Sequence, residues 1–271
     1  MNDEASARPS ATILILRDGA DGLEVFMVVR HHEVDFASGA SVFPGGRLAE
    51  GDRDPALRGL CDGVEGMDDG QLELAVAAIR ESFEECGILL ARRPGVAELL
   101  GAADLAPLER YRGKFDTGAL AMADFLRANE LRLACDALVP YANWITPDFA
   151  PKRFDTWFFL AAAPAGQIGL HDGTEAVDSI WIRPAQALAE ANAGTRPIVF
   201  ATRMNLMHLL GADSVVAAMA AASGRAITTI QPWLEDRPDG KTVCIPAAAG
   251  YPLSEVPVDV ARGGPWPDAP G

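Results

Sequence analysis

The sequence predicts an α/β protein of the α+β kind, in which strands and helices follow one another without regular alternation. Three observations carry this expectation. Near the N-terminus, Ala11 to Leu16 (ATILIL) and Leu23 to Val29 (LEVFMVV) are β-rich apolar runs separated by Arg17-Asp18-Gly19-Ala20-Asp21-Gly22. The two Asp/Gly signals in that loop mark a hairpin or a pair of neighbouring strands. Leu72 to Cys86 repeats apolar side chains at helical spacing, and Phe154 to Ala163 (FDTWFFLAAA) is apolar enough for a central strand.

The remaining elements follow in order. Ser41 to Phe43 is a short strand halted at Pro44-Gly45-Gly46, where the backbone must bend or admit something close. Residues 47–70 are rich in Gly and Asp and read as a loop, with a helical turn near Pro55 to Leu60. The helix that follows takes Asp68 or Asp69 as its cap and stops before Gly87. Residues 95–138 read as a helical insertion, Ser179 to Arg183 as a strand and Pro184 to Asn192 as a short helix. Arg203 to Ala222 reads as one long C-terminal helix, and the Pro- and Gly-rich chain from Pro232 onward as irregular. With no internal repeat and no linker-like tract, residues 1–271 read as one domain with insertions.

Composition narrows the function classes. Of 271 residues, 49% are hydrophobic and 23% charged, which suffices for a core and excludes global disorder. Lys and Arg number 23 against 38 Asp and Glu, a net charge of −15, which argues against a duplex nucleic-acid partner. Small phosphorylated substrates stay compatible with such a surface when metal ions supply positive charge. The four cysteines, Cys61, Cys86, Cys135 and Cys244, show no paired or zinc-like spacing and read as reduced thiols. The first ten residues are acidic, and no run reaches the ~20 apolar residues of a membrane span. The expectation is a cytoplasmic protein with no membrane partner; a homodimer is compatible with the sequence.

The helix at Leu72 to Cys86 carries the chemistry. At about 100° per residue, with Arg80 at 0°, Glu81, Glu84 and Glu85 fall near 100°, 40° and 140°. Leu72, Val76, Ile79 and Phe83 fall at about 280°, 320°, 260° and 300°, so the carboxylates oppose an apolar face. Like charges at this spacing repel by roughly 0.2–0.5 kcal/mol per pair. A divalent cation removes the repulsion, and Arg80 can pair with one glutamate and fix its rotamer. Taken alone, the pattern also fits a solvated acidic face.

Phe43-Pro44-Gly45-Gly46 precedes the helix and Gly87-Ile88 closes it. Gly46 followed by Arg80-Glu81-Ser82-Phe83-Glu84-Glu85-Cys86-Gly87-Ile88 resembles the signature of the Nudix hydrolases, G-x5-E-x7-R-E-U-x-E-E-x-G-U, where U is bulky and apolar. Ser82 replaces one apolar residue. The signature leaves 13 positions between its Gly and its Arg, whereas residues 47–79 intervene here, 20 more. Counted from Gly46, the first acidic position falls on Asp52. The order VFPGG, inserted loop, IRESFEECGILLAR, helical insert, WITP, KRFDTWFF and a late Trp-containing strand is similar to the coenzyme A diphosphatase branch. Ahead of FPGG, the stretch RHHEVDFASGASVFPGG offers Arg30, His31, His32 and Ser38 in place of that branch's Arg-rich signature.

The resemblance implies a mixed β-sheet sandwiched between helices and metal-dependent hydrolysis of a nucleoside-diphosphate-linked substrate. Coenzyme A or acyl-coenzyme A comes first; ADP-ribose or NADH is the alternative, and a non-catalytic nucleotide-binding domain the third reading. It implies Glu81, Glu84 and Glu85 as metal ligands, with the carbonyl of Gly45 or Gly46, for Mg²⁺ or Mn²⁺. Arg80 orients a glutamate, and the general base is either on the helix or a distant carboxylate, for which Glu175 is the candidate. Arg30 and the pair Lys152-Arg153 are the basic residues offered to a 3′-phosphate, although Lys152-Arg153 also reads as an ordinary loop pair. Trp144, Phe154 and Trp157 are either a stacking surface for adenine or core. Cys86 reads as a packing residue.

Overall fold

The structure is a computed structural model that describes residues 7–30, 39–171, 173, 176–264 and 266. Strands β1 (Arg8–Gly19) and β2 (Gly22–Arg30) form the expected hairpin, with Gly19 facing Gly22 across the turn. Gly22 adopts φ 115°, a backbone conformation that a side chain would disfavour. The short strands β3 (Ser41–Val42) and β4 (Gly45–Arg47) add to β2 and β1. Two tight helical turns, Glu50–Arg53 and Pro55–Leu60, lead through β5 (Cys61–Asp62) to helix α1 (Asp69–Cys86). The inserted region holds β6 (Ala91–Arg92), α2 (Ala102–Leu105), α3 (Arg112–Asp116), α4 (Met122–Asn129) and β7 (Arg132–Ala134). Strands β8 (Val139–Ile145), β9 (Phe154–Ala162) and β10 (Ala176–Ile182) return to the sheet. Helices α5 (Pro184–Asn192), α6 (Phe200–Leu209) and α7 (Val215–Ser223) follow. The chain ends in β11 (Thr229–Ile230), β12 (Trp233–Arg237), β13 (Gly240–Cys244), β14 (Glu255–Pro257) and α8 (Val258–Ala261).

The main sheet runs β10-β2-β1-β9-β8-β11, with β3 and β4 on its side. It is mixed, because β1 runs antiparallel to β2 but parallel to β9. Alternation along each strand separates two cores. Ala11, Ile13, Ile15, Phe26, Val28 and Phe159 meet Val76, Ile79 and Phe83 of α1. Leu14, Leu16, Val25, Met27, Phe158 and Leu160 meet Met204 and Leu206 of α6 and Ala218 of α7. The sheet is therefore sandwiched between helices, as the resemblance implies, and β9 is central, as its apolar run predicts.

Local signals explain α1. Asp68 accepts a hydrogen bond from the Gln71 amide at 2.8 Å, and Gln71 Oε1 accepts one from the Asp68 amide at 2.9 Å. This reciprocal box satisfies two amides that the first turn would leave bare. Gly87, at φ 65°, ends the helix in the left-handed conformation and returns its N–H to the Phe83 carbonyl.

Four expectations change. Residues 47–70 are not a loop bulging away from the helix: Leu57 is fully buried, and β5 pairs with β7 in a second sheet, β5-β7-β6. The turn at Pro55–Leu60 is where the sequence predicts it, capped by Asp54. The second half of α1 is not a solvated acidic face: Glu81, Ser82 and Glu85 are buried along with the apolar stripe, with Gly46 against Glu81 and Gly45 against Glu85, while Asp69 and Gln71 of the first turn stay exposed. The region from Arg203 to Ala222 is two helices, broken before Ser214, whose hydroxyl accepts from Ala217 N while Asp18 accepts from Val215 N. The tail from Pro232 is not irregular but carries the sheet β12-β13-β14, with Gly240 (φ 132°) at the hairpin turn. Among the described residues, no helix is long and apolar enough to cross a membrane.

Candidate active site

Arg80 stands at the centre of the site. Its Nε and Nη2 donate to the two oxygens of Asp52 at 2.8 and 2.9 Å. Its Nη1 donates to Glu81 Oε1 and Glu84 Oε1, each at 2.9 Å, and Nη2 also reaches the Arg47 carbonyl at 2.9 Å. The Asp52 side chain is almost wholly buried and takes a further hydrogen bond from the Ala49 amide at 2.8 Å. Burial alone would lower the Arg80 guanidinium, but the hydrogen bond to Asp52 and the charges of Glu81, Asp52 and Glu84 outweigh it and hold it above its ordinary value. Asp52, at the position counted from Gly46, thus pairs with Arg80, and the 20 extra residues lie between those two.

The glycine loop closes on the same helix. Glu85 Oε2 accepts from the Gly45 amide at 3.0 Å. A Cβ on Gly45 would lie 2.5 Å from the Ala11 carbonyl, which excludes a side chain there, and one on Gly46 would fall on the Glu81 carboxylate and displace it. Burial pushes the Glu81 carboxyl up to about 7 despite the opposing charge of Arg80, and Glu84 adds to the rise. Ser82, the residue that departs from the signature, is not a packing defect. Its hydroxyl donates to the Ile88 carbonyl at 2.7 Å and secures the chain leaving the helix. At the same end, Arg112 of the insertion donates to the Glu84 carbonyl from Nε and Nη2, at 3.2 and 3.1 Å. A guanidinium there complements the negative end of the helix.

Glu81, Glu84 and Glu85 line one cavity of about 1290 Å³ together with Gly45, Gly46 and Arg80. The cavity continues past the glycines to the other side of the sheet end, where Arg8, Arg47, Trp144, Phe154 and Phe158 border it. Arg30 borders it too, and its Nε is buried without a hydrogen-bond partner among the described residues. The pair Lys152-Arg153 does not line it: Arg153 holds Asp148 at 2.6 Å and the Thr146 carbonyl at 3.2 Å, and Lys152 is exposed. Trp157 faces the other core, and Trp144, though it borders the cavity, is buried and donates to the Tyr251 hydroxyl at 3.1 Å. Cys86 is fully buried, as a packing residue should be. Glu175, His31, His32 and Ser38 lie outside the described residues. Reasoning from sequence passes over Arg8, Arg47 and Arg112; only Arg47, immediately after Pro-Gly-Gly, had a local signal.

The carboxylates are gathered on a guanidinium, and among the described residues no three His, Cys, Asp or Glu side chains are spaced to hold a metal ion. The donor set nevertheless suits one. Three carboxylates and a glycine carbonyl are hard oxygen donors of the kind Mg²⁺ and Mn²⁺ take.

Comparison with known proteins follows the same residues. A family model described as the NUDT19 Nudix domain matches residues 65–196, which include α1. The acyl-coenzyme A diphosphatase NUDT19 of Xenopus laevis is 23% identical over 210 residues, covering 62% of this chain and 54% of that protein. The chain thus spans about half the length of that curated relative. A solved NUDIX hydrolase from Alicyclobacillus acidocaldarius is 29% identical, covers 82% of this chain and 99% of its own, and superposes with a TM-score of 0.68.

Proposed function

The chain belongs to the Nudix hydrolase family, and from that premise we propose that it is a metal-dependent diphosphatase acting on coenzyme A or an acyl-coenzyme A. The products of that reaction are adenosine 3′,5′-bisphosphate and 4′-phosphopantetheine or its acyl form. The observation that carries the reading is the convergence of Glu81, Glu84 and Glu85 with Gly45 and Gly46 on one cavity, around a fully bonded Arg80. All the acidic positions of the signature's catalytic half are present, which favours turnover over mere nucleotide recognition.

In this reading Glu81, Glu84, Glu85 and the carbonyl of Gly46 hold the divalent cation. A bound Mg²⁺ or Mn²⁺ would neutralise diphosphate oxygens and lower the pKa of a coordinated water. Arg80 fixes the rotamers of Glu81 and Glu84 and is itself fixed by Asp52, so the carboxylates are held in place before substrate arrives. Glu85, tied to the Gly45 amide, sets the distance between helix and glycine loop. A glutamate of the helix, or Glu175, takes the proton of the attacking water. The test is a panel of coenzyme A, acetyl- and long-chain acyl-coenzyme A, ADP-ribose and NADH, assayed with Mg²⁺ and with Mn²⁺. Coenzyme A or its thioesters should give the highest kcat/KM, and turnover should stop with a chelator. Preference for ADP-ribose or NADH would displace the coenzyme A reading, and metal-independent turnover would end the metal reading.

A further inference from the structure

Resting on that reading of the cavity, we propose that Arg8 and Arg47 form a second anion subsite, taking a phosphate monoester that the substrate carries apart from the diphosphate being cleaved. The strand register puts them together. Arg47 of β4 pairs with Ser10 of β1, and Arg8 lies two residues from Ser10 along β1. Side chains alternate along strands, so all three project on the face of Leu14 and Leu16, away from α1. The Arg47 backbone is anchored twice, by the strand pairing and by Arg80 Nη2 on its carbonyl, which leaves the guanidinium directed to the opposite side from the carboxylates.

Their charge is available. Among the described residues neither Arg8 nor Arg47 makes an ion pair or a side-chain hydrogen bond, whereas Arg53, Arg80 and Arg153, close by, hold carboxylates. Two guanidinium groups without carboxylates, facing the same cavity in a chain of net charge −15, make a local positive site. Guanidinium forks match phosphate oxygens in geometry as well as charge. Apolar ring surface adjoins them: Phe154 pairs with Arg8 across β1 and β9, and Phe158 lies further along the same face. A nucleoside base and a phosphate on its ribose need that combination. The glycines at 45 and 46, which leave no side chain between the two walls, keep this subsite continuous with the carboxylates. For a coenzyme A substrate the group bound is the 3′-phosphate, a role for which the engaged Arg153 is poorly placed.

Two measurements test this. The first is calorimetric binding of adenosine 3′,5′-bisphosphate and of AMP to the metal-free full chain. The bisphosphate should bind about tenfold or more tightly than AMP, and the double variant Arg8→Ala/Arg47→Ala should erase the difference without changing the melting temperature. Equal affinities in the unmodified protein, or a difference that survives the double variant, would overturn the proposal. The second compares kcat/KM on coenzyme A and 3′-dephospho-coenzyme A. The double variant should lose roughly 10- to 100-fold more on coenzyme A than on the dephospho compound. Equal losses would mean that the arginines hold the diphosphate or support the fold. Because binding is read without metal or turnover, a protein that cleaves neither compound would defeat the hydrolase reading while still testing the subsite.

Discussion

On the α1 side of the sheet end the charged groups are held by fixed partners: Arg80 by Asp52, Glu81 and Glu84, and Glu85 by the Gly45 amide. On the opposite side Arg8 and Arg47 border the same cavity, exposed and outside any ion pair among the described residues. The difference follows from burial. A charge removed from water costs several kcal/mol unless it is paired, so the buried wall must be a closed network. An exposed arginine keeps its hydration at no such cost and stays ready for a ligand. Chemistry that needs groups in fixed positions belongs to the first wall, and recognition by charge to the second.

The strongest break in that comparison is on the buried wall. Glu84→Gln and Glu85→Gln should each lower kcat by about two to three decades at saturating metal, since each removes a negative charge but little volume. Near-normal turnover in both variants, measured under steady-state conditions, would remove the metal role from this helix. Glu85→Gln can still accept from Gly45, so circular dichroism should report an intact fold.

Comparable in size, but read in stability instead of turnover, is the keystone of the network. Asp52→Ala leaves Arg80 buried beside an empty position and should cost about 3–5 kcal/mol in urea denaturation. A loss below about 1 kcal/mol, the size typical of exposed pairs, would place Asp52 among ordinary surface partners instead. Arg17→Ala, which breaks a more exposed pair with Glu24, is the internal control.

The smallest effect sharpens the electrostatics. Glu81 has its folded pKa raised from 4.5 to about 7, so its contribution favours the folded state below about 4.5 and is lost as pH rises through about 7. Metal-free protein should therefore lose stability across pH 4.5–7 in this contribution, and Glu81→Gln should flatten that slope. Thermal melts across that window, with and without Mg²⁺, read it directly. A slope unchanged by the substitution would show that other groups set it.

Much of this was legible one element at a time. An aspartate at 68 or 69 announces the start of α1, Gly87 its end, and Phe154 to Ala163 a central strand, because each rests on contacts within a few residues or on the period of one strand. The grouping of Glu81, Glu84 and Glu85 follows from helix geometry. Their burial does not: the helical wheel shows one apolar face, and the covering of the other depends on Gly45, Gly46 and Asp52 folding back onto it from far along the chain. Composition also misleads in the tail, where Pro and Gly are compatible with turns of the sheet β12-β13-β14 as readily as with irregular chain.

What the sequence by itself determined is the inventory and local order of the site: glycine loop, capped helix, three carboxylates and one arginine in fixed spacing. Only the tertiary structure decided the partners. It brought Asp52 to Arg80 across 28 positions, set Arg47 beside Ser10 through strand register, and gave Arg153 to Asp148 instead of to the cavity. The physical reason is that short-range geometry is set by bonds and helical periodicity, whereas a charge chooses its partner from whatever the packed layers carry within a few ångströms of it, and chain distance does not record that.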